Sequence, residues 1–277
     1  MKRLAKLIIS VIYFSAATTM SMVSGRQRSR LVILYYHAVP PHSRIQFARQ
    51  LDAIAACGKV VPADCADATF DGRHLIAITF DDAFMSVVDV ALPELSSRGM
   101  TATIFVPSGV LGRRPQWQME SDGDRNECVA SEATLSSIAS SQVVFGAHSV
   151  SHPHLTEIPP EEAWREIANC KRDLEGKLRA PVELFAFPYG DFNSELVGMC
   201  RKAGYRHCYS IIPQALNPSV KDFLRGRVAV DLQDGKLEFW LKIRGAYSWM
   251  AYASNLKRRL FQTGRTIRSN RNGGERA

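Results

Sequence analysis

The sequence predicts one α/β domain built on a largely parallel sheet. Apolar runs of strand length alternate with stretches of helical periodicity along residues 31–247. No internal repeat or linker composition interrupts that stretch. Each unusual polar cluster follows directly on an apolar run: His37, Asp81-Asp82, His148 to His152, and Pro188-Tyr189. A (β/α) barrel and a doubly wound open sheet both collect functional groups at the carboxyl ends of their strands. The pattern fits either architecture.

The elements follow in chain order. "LVILYY" (31–36) reads as a buried strand ending at His37 and a Pro40-Pro41 turn. Helical spacing through Phe47, Leu51 and Ile54 stops near Gly58. "LIAITF" (75–80) is a second strand. Val87, Val88, Ala91, Leu92 and Leu95 sit at helical spacing before Gly99, and Pro93 predicts a kink or break among them. "MTATIFV" (100–106) is a third strand. The polar stretch 112–131, with Trp117, reads as a long loop over a site. After a short helix, "QVVFGAH" forms a strand ending at His148. Pro159-Pro160 and two Glu open a helix over 160–178, acids suiting its positive end. "VELFAF" is a strand ending at Pro188, and Asn193 or Ser194 caps a helix through Arg201 that stops at Gly204. "RHCYSI" and "RVAV" are late strands.

Of 277 residues, 46% are hydrophobic, enough for a packed core. The net charge is +8, but it lies at the ends. Residues 1–30 carry six Lys/Arg and no acid, and residues 254–277 carry a net +6, leaving −4 for residues 31–253. A nucleic-acid binder needs a basic face on the domain itself, so that class is excluded. Basic ends suit an anionic membrane surface or are solvated tails. "MKRLAK" followed by "LIISVIYFSAATTMSMVSG" resembles a signal peptide or membrane anchor, with a docked amphipathic helix as the alternative. The expected organisation is a leader over 1–30, a globular domain over 31–250 and a basic tail over 251–277. This implies an exported or membrane-anchored protein, or a cytoplasmic one at the membrane. In the tail, Trp249, Tyr252, Leu256 and Leu260 recur at helical spacing beside Lys257, Arg258 and Arg259, as an interfacial or a packed helix would. The six cysteines form no CxxC pair and read as scattered thiols, with disulfides open to an exported domain.

"HSVSHP" (148–153) places two histidines four apart, a spacing that one helical turn brings to one face and that can chelate zinc. A third ligand and a base are then needed, and Asp81 and Asp82 can supply them. The same pair, read alone, is an ordinary helix cap. Both carboxylates can face a site only if the chain has left the strand by Asp81, because strand side chains alternate. A bound dication neutralises one and removes the like-charge penalty, leaving the other to act on water.

"TFDD" (79–82), "HSVSHP" (148–153) and "FPYG" (187–190), in this order, resemble the polysaccharide deacetylases of the NodB-homology type, and the likeness spans most of residues 31–250. The resemblance implies a single distorted (β/α) barrel and a hydrolase that removes N-acetyl groups from a glycan or glycolipid sugar. It implies Asp81 as general base, Asp82, His148 and His152 as ligands of a divalent metal, most simply Zn2+, and the Tyr189 backbone N–H, beside Pro188, as an oxyanion donor. Trp117 is a candidate sugar-stacking residue or a cover for the rim. His42 and His154 read as turn residues.

The chain departs from that family pattern in three places. Ala83 follows the Asp pair where Gly is usual. Ala186 replaces an Arg that orients the base, with Arg225 or Arg227 as substitutes. No histidine follows His207, so the usual late general acid is absent. "LYYHAV" resembles a circularly permuted branch that includes poly-N-acetylglucosamine deacetylases, in which a histidine after the first strand takes that role, here His37. The competing expectations are a hydrolase of another non-peptide C–N bond and a non-catalytic glycan-binding relative.

Overall fold

The computed structural model describes residues 2–24, 30–65, 74–119, 124–140, 142–217 and 222–254. Helix α1 (Lys2–Ser24) precedes β1 (Arg30–Tyr36), α2 (Arg44–Cys57), β2 (Lys59–Val60) and β3 (His74–Phe80). Next come α3 (Leu92–Ser96), β4 (Ala102–Val106), α4 (Glu132–Ile138), β5 (Val143–Ala147), α5 (Pro160–Leu178) and β6 (Leu184–Ala186). The chain ends with α6 (Ser194–Lys202), β7 (His207–Ser210), β8 (Ala215–Leu216), β9 (Leu224–Gly226), β10 (Val228–Ala229) and α7 (Lys236–Ile243).

The strands run β10-β1-β3-β4-β5-β6-β7-β9 in one sheet, and every pair along that path is parallel. β2 adds to β3 in parallel and β8 to β1 antiparallel. The two ends of the path, β9 and β10, are separated in sequence only by Arg227. The chain itself therefore spans the seam, and the sheet is a nearly closed barrel rather than an open doubly wound one.

Strand alternation divides the apolar residues into two layers. Leu31, Ile33, Leu75, Ala77, Phe105, Leu184, Ala186 and Tyr209 form one buried cluster, the barrel interior. The intervening residues, among them Val32, Leu34, Ile76, Ile78 and Ile104, form the larger layer with Phe47, Leu51 and Ile54 of α2 and Ile167, Cys170 and Leu174 of α5. The interior is narrow: a Cβ on Gly146 of β5 would come within 2.5 Å of the Phe105 ring.

The predicted helix after Asp82 contains a π turn, Val87–Ala91, closed by the Leu92 N–H donating to the Val87 carbonyl. Pro93 lacks an N–H and crowds the carbonyl four residues back, so a widened turn before it is the expected accommodation. α5 covers Pro160–Leu178 and Asn193 caps α6 through the Leu196 N–H at 2.9 Å, both as the sequence predicts. β2, β8, β9 and α7 are additions. All six cysteines are free thiols. Leu256, Leu260 and Lys257–Arg259 of the anticipated tail helix lie outside the described residues, as do Arg26 and Arg28.

The seam tolerates no extra bulk. A Cβ on Gly226 would collide with the Ile212 carbonyl oxygen and lie 2.7 Å from the Gln214 Cβ. Gly226→Ala is expected to cost about 2 kcal/mol and lower Tm by roughly 4–8 °C in a thermal melt. An unchanged Tm would mean that the seam is looser than described.

Candidate active site

The interior row of β3 runs Leu75, Ala77, Thr79, and its next member is Asp81, whose N–H still bonds the Tyr36 carbonyl at 2.9 Å. Strict alternation would send Asp82 outward. Instead Asp82 (φ 68°) and Ala83 (φ 51°) turn the chain through left-handed conformations, and both carboxylates face one cavity. Asp tolerates that conformation, whereas Ala pays about 1–2 kcal/mol for it. The sterics explain why Gly is the ordinary residue at position 83.

Arg227, from the seam, fixes Asp81. Its Nη1 donates to Oδ1 at 2.6 Å and its Nη2 to Oδ2 at 2.8 Å, a bidentate fork. Nη1 also reaches the Thr79 hydroxyl at 3.2 Å. The guanidinium is fully buried between the rings of Tyr35 and Phe105, 4.8 and 5.1 Å from their centroids. Ala186 belongs to the same interior layer as Phe105. Arg225 serves elsewhere, donating to the Ala63 carbonyl at 2.7 Å.

His148 continues the interior row of β5. Its Nδ1 lies 2.8 Å from the Ala186 carbonyl, so Nδ1 carries the proton and Nε2 is left as an acceptor. The helical turn anticipated for His148 and His152 is not formed. A non-helical turn presents them, with Ser149 (φ 63°) and His152 (φ 62°) left-handed. Glu166 of α5 holds that turn: one oxygen accepts from the Val150 and Ser151 N–H groups, both at 2.8 Å, and the other from the Ser151 hydroxyl at 2.7 Å. The Ser149 hydroxyl accepts from the His152 N–H at 3.0 Å.

The result is a triad. Asp82, His148 and His152 bring one ligand atom each to within 4.8 Å of one another, all buried. His152 Nε2 lies 3.4 Å and His148 Nε2 3.8 Å from Asp82 Oδ1. Asp82 Oδ1 and His152 Nδ1 are buried with no hydrogen-bond partner among the described residues. Such atoms are costly to leave unpaired, and a buried carboxylate oxygen beside two neutral imidazoles is a donor set that fits a divalent cation.

Environment separates the two aspartates. Burial resists ionisation of Asp81, but the Arg227 charge, with His148, outweighs it and holds the carboxyl down at about 2. Burial, with Asp81 and Asp124 close by, pushes Asp82 up to about 7 without a cation, against the pull of His37. Burial lowers His148 to about 4 and His152 well below its ordinary value, so both are neutral at pH 7 and able to ligate.

His37, Asp81, Asp82, Trp117, His148, His152 and Tyr189 line one cavity of about 30 Å³, joined by Tyr35, Gln118, Met119 and Asp124. Pro188 is buried and opens the turn that presents Tyr189, which has φ 56°. Trp117 stacks on His152 with ring centroids 4.5 Å apart. His154 is more than a turn residue: it stacks on Tyr189 at 3.7 Å and pairs with Asp191 at 2.7 Å.

A family profile described as polysaccharide deacetylase matches residues 70–208. The chain belongs to the polysaccharide deacetylase family. YxkH of Bacillus subtilis, provisionally described as a polysaccharide deacetylase, is 23% identical over 155 residues, 56% of this chain and 51% of YxkH, so the match spans about half of that relative. IcaB from Ammonifex degensii superposes with a TM-score of 0.65 at 24% identity, over 79% of this chain and 97% of IcaB. The Streptococcus pyogenes deacetylase PplD, solved with acetate, gives 0.62 at 18% identity, over 74% and 94%. At those identities the likeness establishes the fold, and it agrees with the nearly closed barrel.

The structure thus gathers the three family motifs and His37 at one mouth. Glu166, Asp124 and the His154–Asp191 pair carry no motif that sequence reading could use.

Because Asp81 is depressed, its pairing with Arg227 contributes full stability above the ordinary carboxylate pKa of about 4. That contribution is lost as pH falls through about 2. Arg227→Met is expected to cost about 3–5 kcal/mol at neutral pH by stranding a buried charge. In urea titrations across pH, its gap to wild type should narrow below about pH 4. A gap independent of pH would mean that the loss is packing alone.

Proposed function

We propose that this protein is a metal-dependent deacetylase that removes N-acetyl groups from a glycan or glycolipid sugar. One observation carries the reading. A carboxylate fixed by a buried Arg, Asp81, stands beside a second carboxylate grouped with two neutral imidazoles, all in one cavity with His37.

Asp82, His148 and His152 would hold the cation, and their N/O donor set suits zinc. A cation there supplies Lewis-acid polarisation of the acetyl carbonyl and acidifies water. Asp81 is the base. Arg227 uses two of its lone-pair directions and leaves others to accept a proton from the attacking water. His37 lies at the end of β1 and lines the same cavity. It donates the proton that the departing amine nitrogen needs. The Tyr189 N–H donates to the oxygen that gains charge, a contribution of about 3–4 kcal/mol per donor in comparable sites. Water adds to the acyl carbon, the C–N bond breaks, and acetate and the free amine leave.

Two departures from the family pattern find physical substitutes: Arg227 makes the contact that Ala186 lacks, and His37 stands in for the late histidine. Both weigh against a non-catalytic glycan-binding relative. The cavity has room for a water-sized group, so the sugar lies across its mouth, where Trp117 and Tyr189 form the rim. The N-terminal helix is long and apolar enough to cross a membrane by length and composition, which suits an enzyme acting at or outside one.

Metal content and acetate release from N-acetylglucosamine oligomers test this reading. Wild type and Asp81→Asn should both carry a dication, with turnover lowered about 10²–10⁴-fold in the variant. His148→Ala should lose the metal. His37→Ala should keep it and still slow turnover. Metal-loaded wild type that releases no acetate from any acetylated sugar would overturn the proposal.

A further inference from the structure

Helix α1 is built into the fold along one face. Its least exposed positions recur at three- and four-residue steps, through Leu7, Ser10, Phe14 and Ala17, and the Ser10 side chain is buried. Leu7 and Phe14 pack with Leu241, Ala246, Tyr247 and Met250. Phe14 meets Trp240 of α7 edge-on at 5.0 Å, and the Trp249 indole N–H donates to the Ser10 hydroxyl at 2.9 Å. Arg3 anchors the start of the helix, reaching Glu238 at 2.8 Å and the buried Asp234 carboxylate at 3.0 Å. Lys242 bonds the other Asp234 oxygen at 2.6 Å.

Among the described residues the opposite face has no cover. Leu4, Ile8 and Ile12 stand four apart in one line and are 62%, 52% and 64% exposed. Met22 and Val23 extend the apolar surface at the far end, and α7 adds exposed Leu237 and Trp240. A line of three exposed aliphatic residues is unusual on a soluble surface and marks an interaction face.

We propose that α1 is a retained part of the folded protein and that its outer face lies in the plane of an anionic membrane surface. Three observations select this occupant. A cleaved leader would leave Leu241, Tyr247 and Trp249 without their cover and Asp234 without Arg3. A spanning helix would draw Arg3 away from Asp234 and Glu238, and Ser10 away from Trp249. Residues 1–30 hold five Lys/Arg besides the paired Arg3 and no acid, a surplus of positive charge that suits anionic headgroups. A second copy of the chain would bring two amino-terminal segments of like net charge together. The inference concerns how the domain is held at a bilayer and stands apart from the reaction assigned to its site.

The test floats the full chain, purified from membranes, with vesicles of phosphatidylcholine alone or mixed with phosphatidylglycerol. Binding to the mixed vesicles is expected, weaker by about tenfold on phosphatidylcholine alone. Ile8→Gln with Ile12→Gln should weaken mixed-vesicle binding by about tenfold or more with Tm unchanged. Mass spectrometry of the membrane-derived protein should find α1 present, and alkaline carbonate should release the protein from membranes. A mature N-terminus beyond Ser24 would overturn the proposal, as would resistance to carbonate. Vesicle binding indifferent to the double substitution would also overturn it, and so would self-association through this face without lipid binding.

Discussion

The buried Arg227–Asp81 ion pair is the constraint on which the rest of the structure turns. Arg227 is the single residue between β9 and β10, the two strands that end the sheet path. Its side chain enters the barrel at the seam and meets Asp81, the inward position just past the end of β3. An uncompensated guanidinium in that position would be strongly destabilising. Closing the barrel and placing a carboxylate at its mouth are therefore one event. The Tyr35 and Phe105 faces that sandwich the guanidinium belong to β1 and β4, so the pair ties the seam to the middle of the sheet.

The same pair gives two adjacent aspartates different chemistry. Asp81 has its countercharge in the protein and is ionised under all ordinary conditions. Asp82 has none among its hydrogen-bond partners, and burial raises it to about 7. A fold that satisfies one carboxylate and leaves its neighbour short of a partner fits the proposed cation at the second. The two imidazoles support that reading, because burial keeps both neutral and so free to share a lone pair.

Much of this was legible in the sequence because it rests on period-two alternation and on motifs at strand ends. The row Leu75, Ala77, Thr79, Asp81 can be read from "LIAITFD" alone. Asp82 joins it only through left-handed backbone at Asp82 and Ala83, a local turn that no periodicity encodes. The His148–His152 spacing suggested a helix, but the pair is set by a turn clamped by Glu166 from α5, across a sequence distance that no local pattern bridges. Arg227 was one of two candidates. Its choice over Arg225 follows from barrel closure, since strands of two and three residues leave no pattern to show which residue points inward. A docked α1 stood only as an alternative, and which face docks was hidden for a similar reason. Its partners lie at the other end of the chain, so a run apolar all round looks the same whether it faces protein, lipid or both.

The central claim is that Asp82, His148 and His152 hold a divalent cation while Asp81, clamped by Arg227, stays off it. Anomalous diffraction at the zinc absorption edge, from crystals of the protein grown with zinc, tests that directly. The account predicts one anomalous peak bounded by Asp82, His148 and His152, with the Arg227–Asp81 fork intact. A peak coordinated by Asp81 with Arg227 displaced, or none at this cavity, would contradict it.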